Sequence, residues 1–518
     1  MTKTAGQLMA EAAKELGFEL VLANSGTTEV QFVGAFVPVF GDKFVLCLHE
    51  DVCTGAADGY ARITEKPALV NLHLGPGLAH GLSNIHNARR AESPIVVIIG
   101  DHDVAHRDAD APLTSDIEAL AKPFCQWVRT TKDPRYIARD LADALYGALY
   151  PKPGISALVV PNDILARPVD DPKRATFSRS AAPPADDKAI GLAVDQLKRA
   201  RNPLVIVGGR TTGEAGQRAA WRIARATGGS VASETFPPVL ARGGDIPPIK
   251  RLSYPGPVAR KELEPHDLIF LAGVSDLTPF FSDNVDRTLL RTGERTVLVA
   301  DLAPALPGAI GLWGDPLKTL SVIADELGGD FPVVGPSRSE MGGSSVGRAI
   351  ADGLTEGAVV VDEAITNTLG LYAALEAAPR HDYLTIKGGS LGAGIPVGLG
   401  AALADADRKV VVAVGDGTAC YTIQALWNIA RLGADVTIVV FNNGNYDIIA
   451  YELARAGFTP PPKQAVRLDP KINFALLAEG QGLTALRLES PDEAAITEAV
   501  AAKEPILVDI AVPSMFPA

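Results

Sequence analysis

Two short polar stretches near the end of the chain each follow an apolar run of the kind that forms a buried strand. The sequence GDGT at Gly415–Thr418 follows Lys409–Val414, and Asn442–Asn443 follows Val436–Phe441. A segment of helical character between them, Tyr421–Leu432, completes a strand-helix-strand unit, which returns the chain to the same edge of a parallel sheet. We therefore expect both polar stretches to lie at the carboxyl ends of neighbouring strands, where open α/β sheets bind ligands.

The side chains of these stretches suit a magnesium ion that carries phosphate. Mg²⁺ prefers an octahedron of hard oxygen ligands, with one or two from side chains and the others from phosphate and water. Asp416 offers a carboxylate, Asn443 an amide oxygen, and the loop at Asn445 a backbone carbonyl. These three residues are the predicted metal ligands.

The loop after the first of these strands also has the features of a phosphate site. Gly415 and Gly417 have no side chain, so the backbone can approach phosphate oxygens closely. Thr418 is expected to open a helix, and the amides of a helix N-terminus attract an anion. A GDG sequence by itself is more often an ordinary turn, but in this register the stretch predicts a site for a metal-bound diphosphate.

Length and composition indicate a soluble protein of several domains. A chain of 518 residues suggests about three domains, and 47% hydrophobic with 21% charged residues is ordinary for globular proteins. The net charge of −13 argues against nucleic acid or an anionic membrane surface as the main partner. The N-terminus predicts an amphipathic helix rather than a signal peptide, and no apolar run is long enough to span a membrane. Reduced thiols in a cytoplasm are expected, because zinc-site spacing is absent among Cys47, Cys53, Cys125 and Cys420.

The order of apolar runs predicts the fold class: α/β, with three doubly wound parallel sheets. The three units are expected at residues 1–166, 189–330 and 348–518, separated by the Pro-, Ser- and Gly-rich linkers Arg167–Lys188 and Phe331–Gly347. Outside the GDG region, the predicted strands are Glu19–Leu22, Phe44–Leu48, Ala68–His73, Ile95–Ile99, Ala157–Val160, Leu204–Val207, Leu268–Ala272, Thr296–Ala300, Val359–Val361 and Ile506–Ile510.

The GDG sequence and the paired asparagines in one register resemble the signature of thiamine diphosphate (ThDP) enzymes. Three α/β units in this order resemble the branch of acetolactate synthases and benzoylformate decarboxylases, and the resemblance covers essentially the whole chain. It implies a pyrimidine-binding domain, a central domain and a diphosphate-binding domain, with ThDP and Mg²⁺ as cofactors. It also implies a homodimer with shared active sites, which assembles further into a homotetramer.

The resemblance assigns chemistry to two residues of the first unit. Glu50, followed by GAADGYAR as in the family, would hydrogen-bond the pyrimidine ring and promote the imino tautomer that deprotonates the thiazolium C2. His73 stands where benzoylformate decarboxylase has a catalytic histidine after the same Asn-Leu, and a histidine can shuttle protons near neutral pH. Without the resemblance, Glu50 would be a solvated acid in a helix first turn and His73 a polar cap of a strand end.

Further residues take roles from the same resemblance. Thr27 occupies the place of a serine that benzoylformate decarboxylase presents to the substrate carboxylate, although threonine is also a common helix N-cap. Leu391 resembles the apolar residue that bends ThDP, and Gly389 the residue whose carbonyl accepts from its amino group. The predicted cofactor-binding residues are Glu50, Gly389, Leu391, Gly415, Asp416, Gly417, Thr418, Asn443, Asn445 and Tyr446.

The expected reaction is non-oxidative decarboxylation of a 2-oxo acid, with the option of ligation to a second carbonyl compound. Two alternatives stay open: an acetolactate synthase that uses pyruvate, and a non-catalytic relative that binds ThDP. FAD is not expected, because the central unit offers only the turn Gly208–Arg210 and no GxGxxG. Thr27 and Ile448–Ile449 predict an apolar wall that favours a bulky substrate. The second histidine of benzoylformate decarboxylase is absent from the matching stretch Ser275–Phe281, which leaves one proton transfer unassigned, with His106 as a possible substitute.

Overall fold

In the computed structural model the chain forms two compact units. The first comprises residues 1–178, 343–372 and 386–518, and the second comprises residues 179–342 and 373–385. The structure describes residues 2–173, 181–280, 288–331 and 342–516. Parts of both predicted linkers and the last residue of Ser275–Phe281 lie outside the described residues. None of the described helices is long and apolar enough to cross a membrane.

The first unit begins with a parallel sheet of six strands, in the order β2-β1-β3-β4-β6-β5. The strands are β1 (Val21–Asn24), β2 (Phe44–Leu46), β3 (Ala68–Leu72), β4 (Ile95–Asp101), β5 (Trp127–Thr130) and β6 (Ile155–Pro161). The helices are α1 (Ala5–Glu15), α2 (Val30–Phe40), α3 (Glu50–Thr64), α4 (Leu74–Arg90), α5 (Ile117–Ala121), α6 (Ile137–Leu149) and α7 (Asn162–Ala166). Every residue of β4 and β6 is buried, as expected for parallel strands covered on both faces.

The second unit also contains a six-stranded parallel sheet, in the order β10-β8-β7-β11-β12-β13. Its strands are β7 (Pro203–Val207), β8 (Ser230–Ser233), β9 (Leu240–Arg242), β10 (Lys250–Arg251), β11 (Leu268–Ala272), β12 (Thr296–Asp301) and β13 (Ile310–Trp313), of which β9 lies outside this sheet. Its helices are α8 (Asp187–Arg199), α9 (Glu214–Thr227), α10 (Gly256–Leu263) and α11 (Pro316–Leu327). The antiparallel partner of β9 is a strand from much later in the chain, His381–Thr385.

The remainder of the first unit carries five parallel strands, in the order β18-β19-β17-β16-β14. The strands from here on are β14 (Ala358–Glu363), β15 (His381–Thr385, in the second unit), β16 (Val410–Gly415), β17 (Val436–Asn442), β18 (Thr484–Leu488) and β19 (Ile506–Ala511). The helices are α12 (Ser345–Gly353), α13 (Thr368–Ala374), α14 (Gly394–Ala404), α15 (Asp416–Ala419), α16 (Ala425–Leu432), α17 (Asp447–Arg455), α18 (Lys463–Val466), α19 (Phe474–Gly480) and α20 (Glu493–Ala501). The predicted α/β fold class is thus confirmed.

The segment between β16 and β17 differs from the single helix predicted over Tyr421–Leu432. A four-residue helix, α15, follows β16 directly, and α16 begins only at Ala425. The hydroxyl of Thr422 donates to the carbonyl of Gly392 at 2.8 Å. This side-chain bond ties the turn between the two helices to the loop at Gly392.

Candidate active site

Asp416 lies at the carboxyl end of β16, next to the carboxyl end of β17. The two strands pair in parallel with Gly415 opposite Phe441, as the sequence predicts. One carboxylate oxygen of Asp416 accepts from its neighbour Gly417 N–H at 2.7 Å, and the other accepts from Gly444 N–H at 2.6 Å. Burial raises the pKa of Asp416, and repulsion by Asp447 adds to this, whereas the backbone donors and Lys471 oppose the shift. A cation at this carboxylate would offset the cost of burying its charge.

Asp447, at the start of α17, orients the side chains of Asn443, predicted to bind the metal through its amide oxygen, and of Asn445, predicted to bind it through its backbone carbonyl rather than its side chain. Its buried carboxylate accepts from Asn443 Nδ2 at 3.0 Å and from Asn445 Nδ2 at 2.7 Å. Ser514 Oγ donates to it at 2.6 Å and Met515 N–H at 2.8 Å. Because a carboxylate only accepts, both amides must turn their nitrogens toward Asp447, which leaves both Oδ1 atoms for other partners.

The oxygens of these amides fit a metal ion. Asn445 Oδ1 is buried and has no hydrogen-bond partner among the described residues, and such an oxygen requires a partner. Asn443 Oδ1 accepts from Asn445 N–H at 2.8 Å, which leaves a second lone pair. The neighbouring Asn442 has a structural role, since its amide donates to Ile472 O and Asp509 Oδ1. Hard oxygen donors around one buried carboxylate match the preference of Mg²⁺.

Gly417 and Thr418 shape the turn below Tyr446. A Cβ at Gly417 would lie 2.4 Å from Tyr446 Cε1, so only glycine fits beneath this ring. Thr418 is buried, and its hydroxyl donates to the carbonyl of Gly415 at 3.0 Å. The ring of Tyr446 therefore packs onto the loop that was predicted to hold the diphosphate.

The loop that carries Gly389 and Leu391 is fastened from two sides. Glu363, at the end of β14, accepts from Gly392 N–H and Gly394 N–H at 2.7 and 2.6 Å, and also from Ala393 N–H at 3.2 Å. It thereby caps α14 with a buried carboxyl group, whose pKa burial raises to about 7 against the opposing effect of these donors. Gly389 itself has a φ of +76°, a conformation that favours glycine.

Helix α4 provides the second attachment of this loop. Asn87 accepts from Ser390 N–H at 3.0 Å and donates to Ser390 O at 2.8 Å. The Oγ atoms of Ser83 and Ser390 are 2.7 Å apart, and His86 Nε2 lies 3.1 Å from Gly388 O. Helix α4, which follows strand β3 of the first sheet, therefore helps to fix the position of the loop that carries Gly389 and Leu391.

Glu50 is the first residue of α3, and its partner lies on α4. Its side chain is 10% exposed, and its Oε2 lies 3.1 Å from Nδ1 of His80. His49 caps α3, because its Nδ1 accepts from Asp51 N–H at 3.1 Å, and its ring stacks on His80 with centroids 5.3 Å apart. Glu50 is therefore neither a solvated nor an isolated acid.

His73 ends β3 and pairs with a second buried acid, Glu29. Glu29 Oε2 lies 2.7 Å from His73 Nδ1, and the Glu29 side chain is 1% exposed. Thr28 Oγ1 donates to the other oxygen of Glu29 at 2.8 Å and lies 3.3 Å from His73 Nδ1. A Cβ at Gly26 would lie 2.2 Å from the same nitrogen, so glycine makes room for the ring. Thr27, the residue predicted to meet substrate, lies exposed beside Thr28.

The predicted residues thus fall into two groups within the first unit. One group lies around Glu50 and His73, and the other around Asp416 and Asn443. Residues that the sequence interpretation missed support both groups: Glu29, His80, Glu363, Asp447 and Ser514. Two of these residues could have been found from the sequence. Asp447 stands two residues after the predicted ligand Asn445, and Glu363 ends an apolar strand.

Two models of known protein families match the segments of the chain that contain these two groups. Residues 3–120 match the family described as "Thiamine pyrophosphate enzyme, N-terminal TPP binding domain". Residues 367–510 match "Thiamine pyrophosphate enzyme, C-terminal TPP binding domain".

Similar proteins cover nearly the full length of the chain. A Mycobacterium tuberculosis protein named "Putative acetolactate synthase large subunit IlvX" is 40% identical over 514 residues, which is 96% of this chain and 97% of that protein. The benzoylformate decarboxylase of Pseudomonas aeruginosa is 27% identical over 533 residues, 98% of each chain.

Among solved structures, a ThDP-dependent 4-hydroxybenzoylformate decarboxylase of Rhodococcus jostii RHA1 has the same fold, with a TM-score of 0.87 at 24% identity. The match covers 99% of this chain and 100% of that one. By its sequence relatives and both family matches, the chain belongs to the thiamine pyrophosphate enzymes and is related to both acetolactate synthases and benzoylformate decarboxylases.

Proposed function

We propose that this protein uses ThDP and Mg²⁺ to decarboxylate a 2-oxo acid without oxidation, and that it can join the product to a second carbonyl compound. The observation that carries the proposal is the arrangement around Asp447. This residue binds the amide nitrogens of Asn443 and Asn445. Asn445 Oδ1 then has no partner among the described residues, and Asn443 Oδ1 keeps a second lone pair, in the same loop as the Gly444 amide that donates to the buried Asp416. The ligand set suits Mg²⁺ bound to a diphosphate.

In this proposal residues 1–166 bind the pyrimidine, residues 189–330 form the central domain, and residues 348–518 bind the diphosphate. Asp416, Asn443 and Asn445 hold the metal. The glycines and hydroxyl of the loop Gly415–Thr418 contact the diphosphate, together with Tyr446. Gly389 and Leu391 contact the thiamine rings.

When bound, ThDP supplies a nucleophilic carbon that adds to the 2-oxo group and accepts the electron pair left by CO₂. Glu50 exchanges a proton with the pyrimidine through a carboxyl oxygen. Burial of this side chain against α4 keeps competing water from most of its surface, which strengthens its hydrogen bonds.

His73 is proposed to move the protons of the substrate. A carboxylate accepts hydrogen bonds, so Glu29 fixes the Nδ1–H tautomer of His73 and leaves a lone pair on Nε2. Nε2 can then take a proton from a hydroxyl group and return it. The hydroxyl of Thr27 is proposed to donate to the substrate carboxylate.

A second candidate function is the synthesis of acetolactate from pyruvate. The observation that favours it is the 40% identity to the mycobacterial protein named as an acetolactate synthase large subunit. Both candidates share the decarboxylation step. They differ in the 2-oxo acid that is used and in the carbonyl compound to which the decarboxylated product is joined.

A panel of 2-oxo acids tests the proposed function and separates the candidates. With ThDP and Mg²⁺, we expect CO₂ release with a higher kcat/KM for a branched or aromatic acid than for pyruvate. We expect Thr27, Ile448 and Ile449 to form an apolar wall, and one well-fitted apolar group is worth about 1–3 kcal/mol. CO₂ release would measure decarboxylation, and chromatography of the products would measure ligation. We also expect no flavin absorbance in the purified protein.

Three results of this panel would contradict parts of the proposal. A preference for pyruvate with formation of acetolactate would support the second candidate. A yellow protein with flavin absorbance would overturn the expectation that FAD is not bound. Bound ThDP with no CO₂ release from any acid would indicate a non-catalytic relative.

We further propose a homodimer in which Glu50 of one subunit serves the ThDP held by Asp416 of the other, with a homotetramer built from two such dimers. Mixing inactive Glu50→Gln with inactive Asp416→Ala should then restore activity. Random exchange in a twofold dimer gives one intact site in each hybrid, so about one quarter of wild-type activity is expected. Each variant exchanged with itself is the control. Absence of rescue after verified subunit exchange would place each site within one chain.

A further inference from the structure

The one hydrogen-bond partner of the Glu50 carboxyl group that the described residues provide is a histidine near the surface. Glu50 Oε2 and His80 Nδ1 are 3.1 Å apart. The side chain of Glu50 is 10% exposed in the chain, whereas that of His80 is 58% exposed. The pair therefore joins a nearly buried acid to a ring that reaches water.

His49 holds the ring of His80 in place. The two rings stack with an interplanar angle of 22°, and His49 is itself fixed as the N-cap of α3. Burial lowers the pKa of His49, with His80 contributing in the same direction and Glu50 opposing. His49 therefore stays neutral near neutral pH and does not repel a proton on the neighbouring ring.

We infer that His80 relays protons between Glu50 and water. This inference rests on the proposed role of Glu50 in ThDP activation. In one direction Nε2 of His80 takes a proton from a hydronium ion of the solvent, whose O–H bond breaks to leave water, as its Nδ1–H passes to Oε2 of Glu50. The N–H bond at Nδ1 breaks and an O–H bond forms, and the ring ends neutral as the Nε2–H tautomer. The reverse transfer restores the starting state, so no other reactant is needed.

A purely structural reading assigns His80 only the task of orienting the Glu50 carboxyl group. Since His80 acts through Glu50, it is a positioning residue in either case. The two readings differ in what can replace the imidazole. Glutamine can donate a hydrogen bond to Glu50, but its amide does not carry a proton from one side to the other.

The first experiment needs no cofactor. In the apoprotein with ¹⁵N-labelled histidine, we expect the Nδ1 signal of His80 to have the chemical shift of a hydrogen-bonded nitrogen. Glu50→Gln should move this signal. The signal of His266, whose Nδ1 bonds to the carbonyl of Asn202 in the second unit, should stay in place. An unmoved His80 signal would show that the pair does not form and would overturn the inference.

The second experiment measures the relay itself with ThDP and Mg²⁺ bound. A positioned proton donor contributes roughly 10²–10⁴-fold, and for a residue one step removed we expect His80→Ala to slow hydrogen–deuterium exchange at the ThDP C2 by about tenfold. Free imidazole should restore the rate of His80→Ala in proportion to its concentration, because the substitution leaves a space beside Glu50 that an imidazole ring can fill. His80→Gln should stay slow, and His266→Ala should match the wild type.

Two outcomes would overturn the relay while leaving the proposed function intact. These are a wild-type exchange rate in His80→Gln, and a slow His80→Ala that imidazole does not restore. Failure of the proposed function has a different signature, since the wild-type protein would then bind no ThDP or leave its C2 proton unactivated. Calorimetric ThDP binding by each variant separates loss of affinity from loss of proton transfer.

Discussion

Asp416→Ala is expected to lose both Mg²⁺ and ThDP during gel filtration. The buried carboxylate is the only charged member of the proposed ligand set, and its loss leaves the diphosphate without a bridging ion. Changes to residues that merely orient metal ligands cost roughly 10–100-fold in affinity, so removal of a charged ligand should cost at least about 100-fold. Metal analysis and calorimetric titration with ThDP measure the effect.

Two controls support the interpretation of this variant. Asp407→Ala removes an exposed acid on the connection before β16 and should bind ThDP normally. Asp416→Asn keeps the size of the side chain and an oxygen acceptor for one of the two backbone donors of the loop. It tests whether lost binding reflects misfolding, which circular dichroism also monitors. Stoichiometric ThDP on folded Asp416→Ala after dialysis would remove Asp416 from the metal site.

Glu50→Gln is expected to bind ThDP but to activate it slowly. The amide has nearly the same shape and still contacts His80, but it cannot exchange the proton that the pyrimidine requires. Loss of such a group costs roughly 10²–10⁴-fold in rate. Exchange of the C2 hydrogen for deuterium, followed by NMR after acid quench, measures this step directly.

The matched control for this variant is Glu11→Gln, which alters a half-buried acid paired with Lys3. It should exchange at the wild-type rate. If Glu50→Gln exchanges as fast as the control, Glu50 has no part in activation. If it fails to bind ThDP at all, its role is in binding rather than in proton transfer.

The sequence supports the α/β fold and the place of Asp416 because both follow from local patterns. Apolar runs such as Leu268–Ala272 are strands with the predicted ends, and parallel pairing brings the ends of β16 and β17 together. Strands with less continuous apolar character, such as β5 and β18, escaped prediction; both are only partly buried. Half-buried strands of mixed composition carry a weak signal.

The residues that contact the predicted site residues were harder to predict, because these contacts join segments that are distant in the chain. Glu29 follows two threonines and has the sequence context of a helix first turn, and only β3 brings His73 to it. The sequence offers no signal for His80, because its contact with Glu50 requires α3 and α4 to pack together. Ser514 reaches Asp447 from beyond the last strand. Sequence periodicity describes one helix or strand at a time and does not specify contacts between side chains that are distant in the chain.

The pairing of β9 with β15 has a consequence for how the chain matures on the ribosome. The two strands are separated by about 140 residues, and at roughly 5–20 residues per second the second is made several seconds to half a minute after the first. Until then the edge of β9 has unpaired backbone groups, which are prone to association with other nascent chains. Because residues 343–372 of the first unit precede β15 in the chain, the second unit cannot complete itself before translation has passed that part of the first unit.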